Sequence, residues 1–171
     1  MIDWNFVKKI TILGNELSDP YDISLILKKN SVRKYIYRIT YEGILIKFGM
    51  SADNSRNFGE RLYRQLGHCK SWADKRLCGS SGSDWRVIEE DFKNRYGYEI
   101  DHNKITITVF DLTDYPFTTI STWDEIVGME TFLIDQYEAL VGEKPIGNLH
   151  DNENVIRRPK ILISTWEKMF E

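Results

Sequence analysis

Two ionisable side chains stand where packing alone would not put them. Lys47 interrupts the apolar run Ile44-Leu45-Ile46-Lys47-Phe48-Gly49-Met50, and Gly49 follows close behind. Glycine inside a strand often marks a close approach of backbone or ligand. Glu130 falls in the middle of the helical stripe made by Ile126, Leu133, Ile134, Tyr137 and Val141. An ionised carboxylate on an apolar face costs roughly several kcal/mol unless it is paired or binds a metal. A metal ligand and a structural ion pair with one of the arginines fit that spacing equally well. A third signal is a basic stripe. Lysines and arginines crowd the chain from Lys28 to Arg76, opposed there only by Glu42, Asp53, Glu60 and Asp74. Such a stripe on a protein of net charge -3 is compatible with phosphate binding, although a solvated face is the plainer reading.

Whether Lys47 can act with a neighbour depends on the element that carries it. Residues 34 to 51 carry the strongest hairpin signal in the chain, two runs rich in Ile and Tyr around a short turn with Gly43. Tyr35, Tyr37, Ile39 and Tyr41 alternate with Ile36, Arg38 and Thr40, the period of a strand. A two-residue loop Glu42-Gly43 would set Tyr37 opposite Phe48 and turn Lys47 to the other side. A three-residue loop Tyr41-Glu42-Gly43, with Gly43 in the left-handed position of a bulge-type turn, sets Tyr37 opposite Lys47 on one face. The second arrangement is the expected one.

The flanking elements follow from similar signals. Residues 2 to 13 suit a helix or a strand. Residues 21 to 29 suit a short helix after the Asp19-Pro20 turn. A polar loop covers 51 to 59, and Phe58, Leu62 and Leu66 space the apolar side of a helix from about Glu60 to Gly67. Ser83 is a good N-cap for a helix from Asp84 to about Tyr96, closed by Gly97. Residues 104 to 111 form a third strand. Thr122 and Glu125 suit a capping box for a helix over 123 to 141, with Asp135 and Glu138 pointing to solvent. Lys144-Pro145-Ile146-Gly147-Asn148 breaks it.

A chain of 171 residues suffices for one core. No basic region followed by an apolar run opens it, and no stretch is long enough to span a membrane, so a cytoplasmic protein is expected. Cys69 and Cys78 lack CxxC spacing, and with His68 they fall short of a zinc set; two reduced cysteines are expected. His102 and His150 read as surface histidines. The tryptophans read as core or interface residues.

Taken together, these residues resemble the GIY-YIG nuclease family. Tyr35-Ile36-Tyr37 stands where the family has its first motif, and Lys47-Phe48-Gly49 where it has its second. Gly59-Glu60-Arg61-Leu62 matches the arginine that follows, with Arg56 and Arg64 as alternatives. His68 matches a histidine that some members carry, and would favour Arg64. Met129-Glu130-Thr131-Phe132-Leu133-Ile134 matches the helix with one inward glutamate, and Asn148 the asparagine beyond it. The first motif's glycine is replaced by Tyr35 and the second motif's tyrosine by Lys47. The lysine and the Glu143-Lys144-Pro145-Ile146-Gly147 stretch are similar to a branch that includes small restriction endonucleases.

The resemblance implies an α/β (α+β) fold, with a small three-stranded antiparallel sheet flanked by helices. It implies a single domain over 1–171 with a catalytic core at 34–148, an N-terminal extension 1–33 and a C-terminal extension 149–171. The implied activity is Mg²⁺-dependent hydrolysis of DNA phosphodiester bonds by a type II restriction-like endonuclease. A nicking repair or mobile-element nuclease and a non-catalytic nucleic-acid-binding module on the same fold are the alternatives. Tyr37 would be the general base or relay to it. A tyrosine of reference pKa near ~10 needs help to ionise near neutrality, and the ammonium of Lys47 would supply it; otherwise the Lys47 stem covers the sheet and its head reaches water. Arg61 would hold the scissile phosphate through its planar fork, and Glu130 would hold one Mg²⁺. Arg64, His68, Asn148 and Ser51 would contact substrate, although Asn148 equally suits a turn that ends a helix and Ser51 the end of a strand. Cutting both strands at a symmetric site would imply a homodimer and a separate DNA methyltransferase in the same cell. The N-terminal segment, the loop 67 to 83 and the C-terminal tail would supply recognition.

Overall fold

A computed structural model describes residues 4–18, 22–52, 62, 85–118 and 121–148. The described chain is a mixed α/β fold built on a four-stranded antiparallel sheet in the order β1-β4-β2-β3. Its strands are β1 (Lys8–Leu13), β2 (Tyr35–Tyr41), β3 (Ile44–Ser51) and β4 (Ile105–Asp111). Its helices are α1 (Asp22–Lys29), α2 (Trp85–Tyr96) and α3 (Thr122–Val141). The expected three strands are thus one too few. The undecided segment at the start is a strand, paired from Lys8↔Asp111 to Leu13↔Thr106. Only Ile12 of β1 is fully buried and most of the strand is exposed, so it carries little of the alternation that marks a strand.

The sheet buries both faces. Tyr35, Tyr37, Ile39 and Tyr41 of β2 join Ile105, Ile107 and Val109 of β4, and α1 and α2 cover them with Ile23, Leu27, Ile88 and Phe92. Ile12 of β1 and Leu62 belong to the same cluster. Residues of the N-terminal segment 1–33, Ile12, Ile23, Leu27 and Val32, thus contribute to this hydrophobic cluster. On the opposite face, Ile36, Leu45, Phe48, Met50 and Phe110 pack against Ile126, Met129, Leu133 and Ile134 of α3. Burying each large apolar side chain contributes about 1.5–3 kcal/mol relative to leaving it exposed.

The hairpin register departs from expectation. Glu42 and Gly43 both have positive φ, 47° and 85°, as the central pair of a two-residue type I′ turn requires. The three-residue loop does not form. The two-residue turn pairs Tyr41 with Ile44 and Thr40 with Leu45, and a bulge then absorbs Ile46. Beyond it Ile39 pairs with Lys47 and Tyr37 with Gly49. A turn of this length without the bulge would have sent Lys47 to the far side. The extra residue restores the parity, and Lys47 lies on the Tyr37 face diagonally rather than directly opposite.

Helix ends explain a smaller shift. Ser121, not Thr122, caps α3: its side chain accepts from Asp124 N–H at 3.3 Å. Glu125 reaches back to accept from Thr118 N–H and its hydroxyl, at 2.9 and 3.0 Å. Helix α2 ends as expected on a left-handed glycine, Gly97 (φ 81°), and α3 ends on another, Gly142 (φ 88°), ahead of the expected break at 144–148; the N–H groups of both close the last turns. Among the described residues no helix is long and apolar enough to cross a membrane.

Candidate active site

Tyr37 sits at the centre of β2 and is fully buried. Its ring lies directly over Gly49 on the neighbouring strand. A Cβ at position 49 would collide with Tyr37 Cζ and Oη. This explains a glycine in a buried strand: the tyrosine occupies the volume a side chain would need. The Tyr35 ring is next to it, with centroids 6.1 Å apart.

Lys47 and Ser51 project from β3 to the same face, paired with Ile39 and Tyr35. Lys47 is only 4% exposed. Its ammonium does not reach water along a covering stem. It donates instead to the carbonyl of Gly147 at 2.8 Å, one of the bonds a buried ammonium must make. Gly147 lies against the lysine so closely that a Cβ there would be 2.8 Å from Lys47 Cβ and 3.0 Å from the Ile46 carbonyl.

The next residue, Asn148, is completely buried. Its Oδ1 accepts from Phe48 N–H at 2.9 Å and its Nδ2 donates to the Phe48 carbonyl at 3.0 Å. β3 is an edge strand, and an edge carries peptide groups without a strand partner. The Asn148 amide supplies both partners at Phe48. The short 3-10 turn Ile146–Asn148 thus docks on the edge of β3, with Ile146 in the core cluster of Tyr37. The chain rounds this edge after α3, since Ile134 belongs to the opposite cluster.

Glu130 is half-buried, flanked by the buried residues Ile126, Met129, Leu133 and Ile134, as its place in the stripe predicts. Those neighbours pack on the far face of the sheet from Tyr37 and Lys47. The structure brings Tyr37, Lys47, Ser51 and the Asn148 turn together, and seats the helix of Glu130 on the other side. Arg38 shares that second face, its guanidinium over the Phe110 ring at 5.8 Å, and burial lowers its pKa. Asp135 and Glu138 are half-buried rather than solvent carboxylates.

Arg56, Arg61, Arg64, His68, Cys69, Cys78 and His150 lie outside the described residues, as do the loop 67 to 83 and the tail from 149. Leu62, the residue after Arg61, is helical and buried in the cluster that holds Tyr37.

His102 is not a free surface histidine. Its Nε2 lies 2.8 Å from Glu89 Oε1, with the two side chains 26% and 19% exposed. The sequence reading also missed Gly147, whose carbonyl receives Lys47. Its signal was the Pro145-Ile146-Gly147-Asn148 stretch, read as a helix stop and as part of the family resemblance but not as a partner for Lys47.

Among the described residues no group of three or more His, Cys, Asp or Glu converges on a metal position. The carboxylate the resemblance would give to Mg²⁺, Glu130, stands half-buried, and an ion held by one carboxylate would have to take most of its oxygens from water and phosphate. Comparison with known proteins finds no family model, no curated protein and no solved structure that matches the chain.

Proposed function

We propose that this protein is a cytoplasmic, Mg²⁺-dependent endonuclease of GIY-YIG type that hydrolyses DNA phosphodiester bonds, within a restriction-like system. The observation that carries the reading is the Tyr37–Gly49 crossing with Lys47 diagonal to it on the same face. It gives the tyrosine of the first motif, and the lysine and glycine of the second, one shared physical reason. In this reading the Tyr37 phenolate accepts the proton of a water that attacks phosphorus, and the Lys47 ammonium favours that phenolate. Arg61 holds the phosphate, with Arg64, His68 and Ser51 touching substrate. Glu130 would hold the Mg²⁺, which when bound neutralises charge on the phosphoryl oxygens. A homodimer would cut both strands, and a separate methyltransferase would protect the cell's own sites.

The test is cleavage of mixed-sequence plasmid and phage DNA with Mg²⁺ or with chelator, by wild type, Tyr37→Phe and Glu130→Gln. Discrete Mg²⁺-dependent fragments, absent in both variants, are expected. A ladder of many products would indicate a nicking nuclease without strict sequence choice.

One observation favours a second reading, a non-catalytic nucleic-acid-binding module. Tyr37 is fully buried, and α3 lies across the sheet from it. DNA binding with no cleavage by the wild type, unchanged in Glu130→Gln, would decide for that module.

A further inference from the structure

We infer that the Ile146–Asn148 turn is a positioning clamp for Lys47, and that Asn148 acts on the reaction through that lysine rather than by touching DNA. The inference rests on the nuclease reading of the Tyr37–Lys47 face and departs from substrate contact as the role of Asn148. Three polar contacts join the turn to two consecutive residues of β3. Lys47 Nζ donates to the Gly147 carbonyl at 2.8 Å. Asn148 Oδ1 accepts from Phe48 N–H, and its Nδ2 donates to the Phe48 carbonyl. An amide carries one acceptor and one donor group at fixed separation, so it can pair with both polar groups of a single residue as a neighbouring strand would. Asn148 is completely buried and its amide is already committed to that pairing, which argues against phosphate as its partner. The carbonyl that receives the ammonium precedes the asparagine directly. Where Asn148 seats the turn, it therefore also sets where the Lys47 charge lies relative to the tyrosine ring across Gly49. The clamp spans 100 residues of sequence, so the edge of β3 holds its lysine in register only when the chain beyond α3 has docked.

A lysine displaced by about 1 Å no longer favours the phenolate as well, and misplacement of that size can cost about a hundredfold in rate. The test is a double-mutant cycle in cleavage with Lys47→Met, Asn148→Ala and the pair, together with DNA affinity measured in chelator. A clamp predicts that Asn148→Ala lowers kcat with affinity unchanged and moves the pH–rate profile to higher pH. It also predicts that the double variant is no slower than Lys47→Met alone. Weakened DNA binding, or losses that multiply in the double variant, would overturn the clamp. Asn148→Asp, nearly isosteric, keeps the acceptor for Phe48 N–H but opposes its carbonyl. It is expected to act in the same direction, and it serves if Asn148→Ala fails to fold.

A second readout needs no activity. In ¹⁵N-lysine-labelled protein the hydrogen-bonded Lys47 ammonium should give a slowly exchanging signal, assigned by its loss in Lys47→Met. That signal should vanish in the Asn148 variants, and its persistence there would overturn the clamp. If the wild type cleaves no DNA, the nuclease reading fails, and the ammonium signal alone decides the clamp.

Discussion

The two faces of the sheet handle polar groups in opposite ways. On the α1–α2 face, Tyr35, Tyr37, Lys47 and Ser51 are all buried. There the backbone does the placing: a bulge at Ile46, a missing side chain at Gly49, and a carbonyl offered by Gly147. On the α3 face the interior is nearly all apolar, with the half-buried Glu130 on the helix and Arg38 lying over Phe110. There ordinary side-chain packing sets the geometry. Packed apolar layers tolerate conservative change, whereas a face built on backbone geometry depends on single atoms. Damage to the apolar packing of the α3 face should therefore cost stability, and damage to the other face should cost activity.

The largest expected effect on stability is on the α3 face. Leu133 is 1% exposed among Ile126, Met129 and Phe48, so Leu133→Ala should destabilise by about 2–5 kcal/mol. A lower denaturant midpoint would show it. The comparison also requires that the variant's folded fraction cleave at the wild-type rate; a specific loss of cleavage would break the distinction between the faces.

A smaller change on the other face should do more to function. In Gly49→Ala the new methyl group must displace the Tyr37 ring, with an expected destabilisation of about 1–3 kcal/mol. Cleavage should fall out of proportion to the folded fraction measured by circular dichroism. Retained activity with the ring displaced would remove Tyr37 from the reaction.

The mildest prediction sharpens the contrast through pH. Burial raises the Tyr137 pKa above its ordinary value, and Tyr96 and Glu143 add to the shift, while Arg95 opposes it. The folded state thus favours the neutral phenol. Its contribution to stability is complete below the unfolded pKa of about 10 and is lost as pH rises through the folded pKa. Thermal melts from pH 8 to 11 should show a shallower alkaline decline for Tyr137→Phe, with no change at pH 8 beyond the loss of the hydroxyl.

Local signals made most of the elements legible. The Ile and Tyr alternation marked β2 and β3, the spacing of Ile126, Leu133 and Ile134 marked α3, and Gly97 marked where α2 stops. Each rests on neighbours within a turn or a strand, which one segment of sequence contains. The place of Glu130 within its stripe was legible for the same reason. Strand β1 was not, because most of it faces solvent at the sheet's edge. The cap of α3 was displaced by one residue because Ser121 and Thr122 are both good caps.

The sequence by itself therefore determined most of the elements and singled out residues whose types could do chemistry. Only the tertiary structure decided which face each residue serves. The bulge at Ile46 leaves no mark in the apolar run Ile44-Leu45-Ile46, yet it carries Lys47 back to the side of Tyr37. The partners of Lys47 and Phe48 lie 100 residues away in the sequence. The helix of Glu130 lies beneath the sheet because its apolar stripe matches Ile36, Phe48 and Met50. Parity across a strand and contacts between distant segments are properties of the assembled core, and no local pattern encodes them.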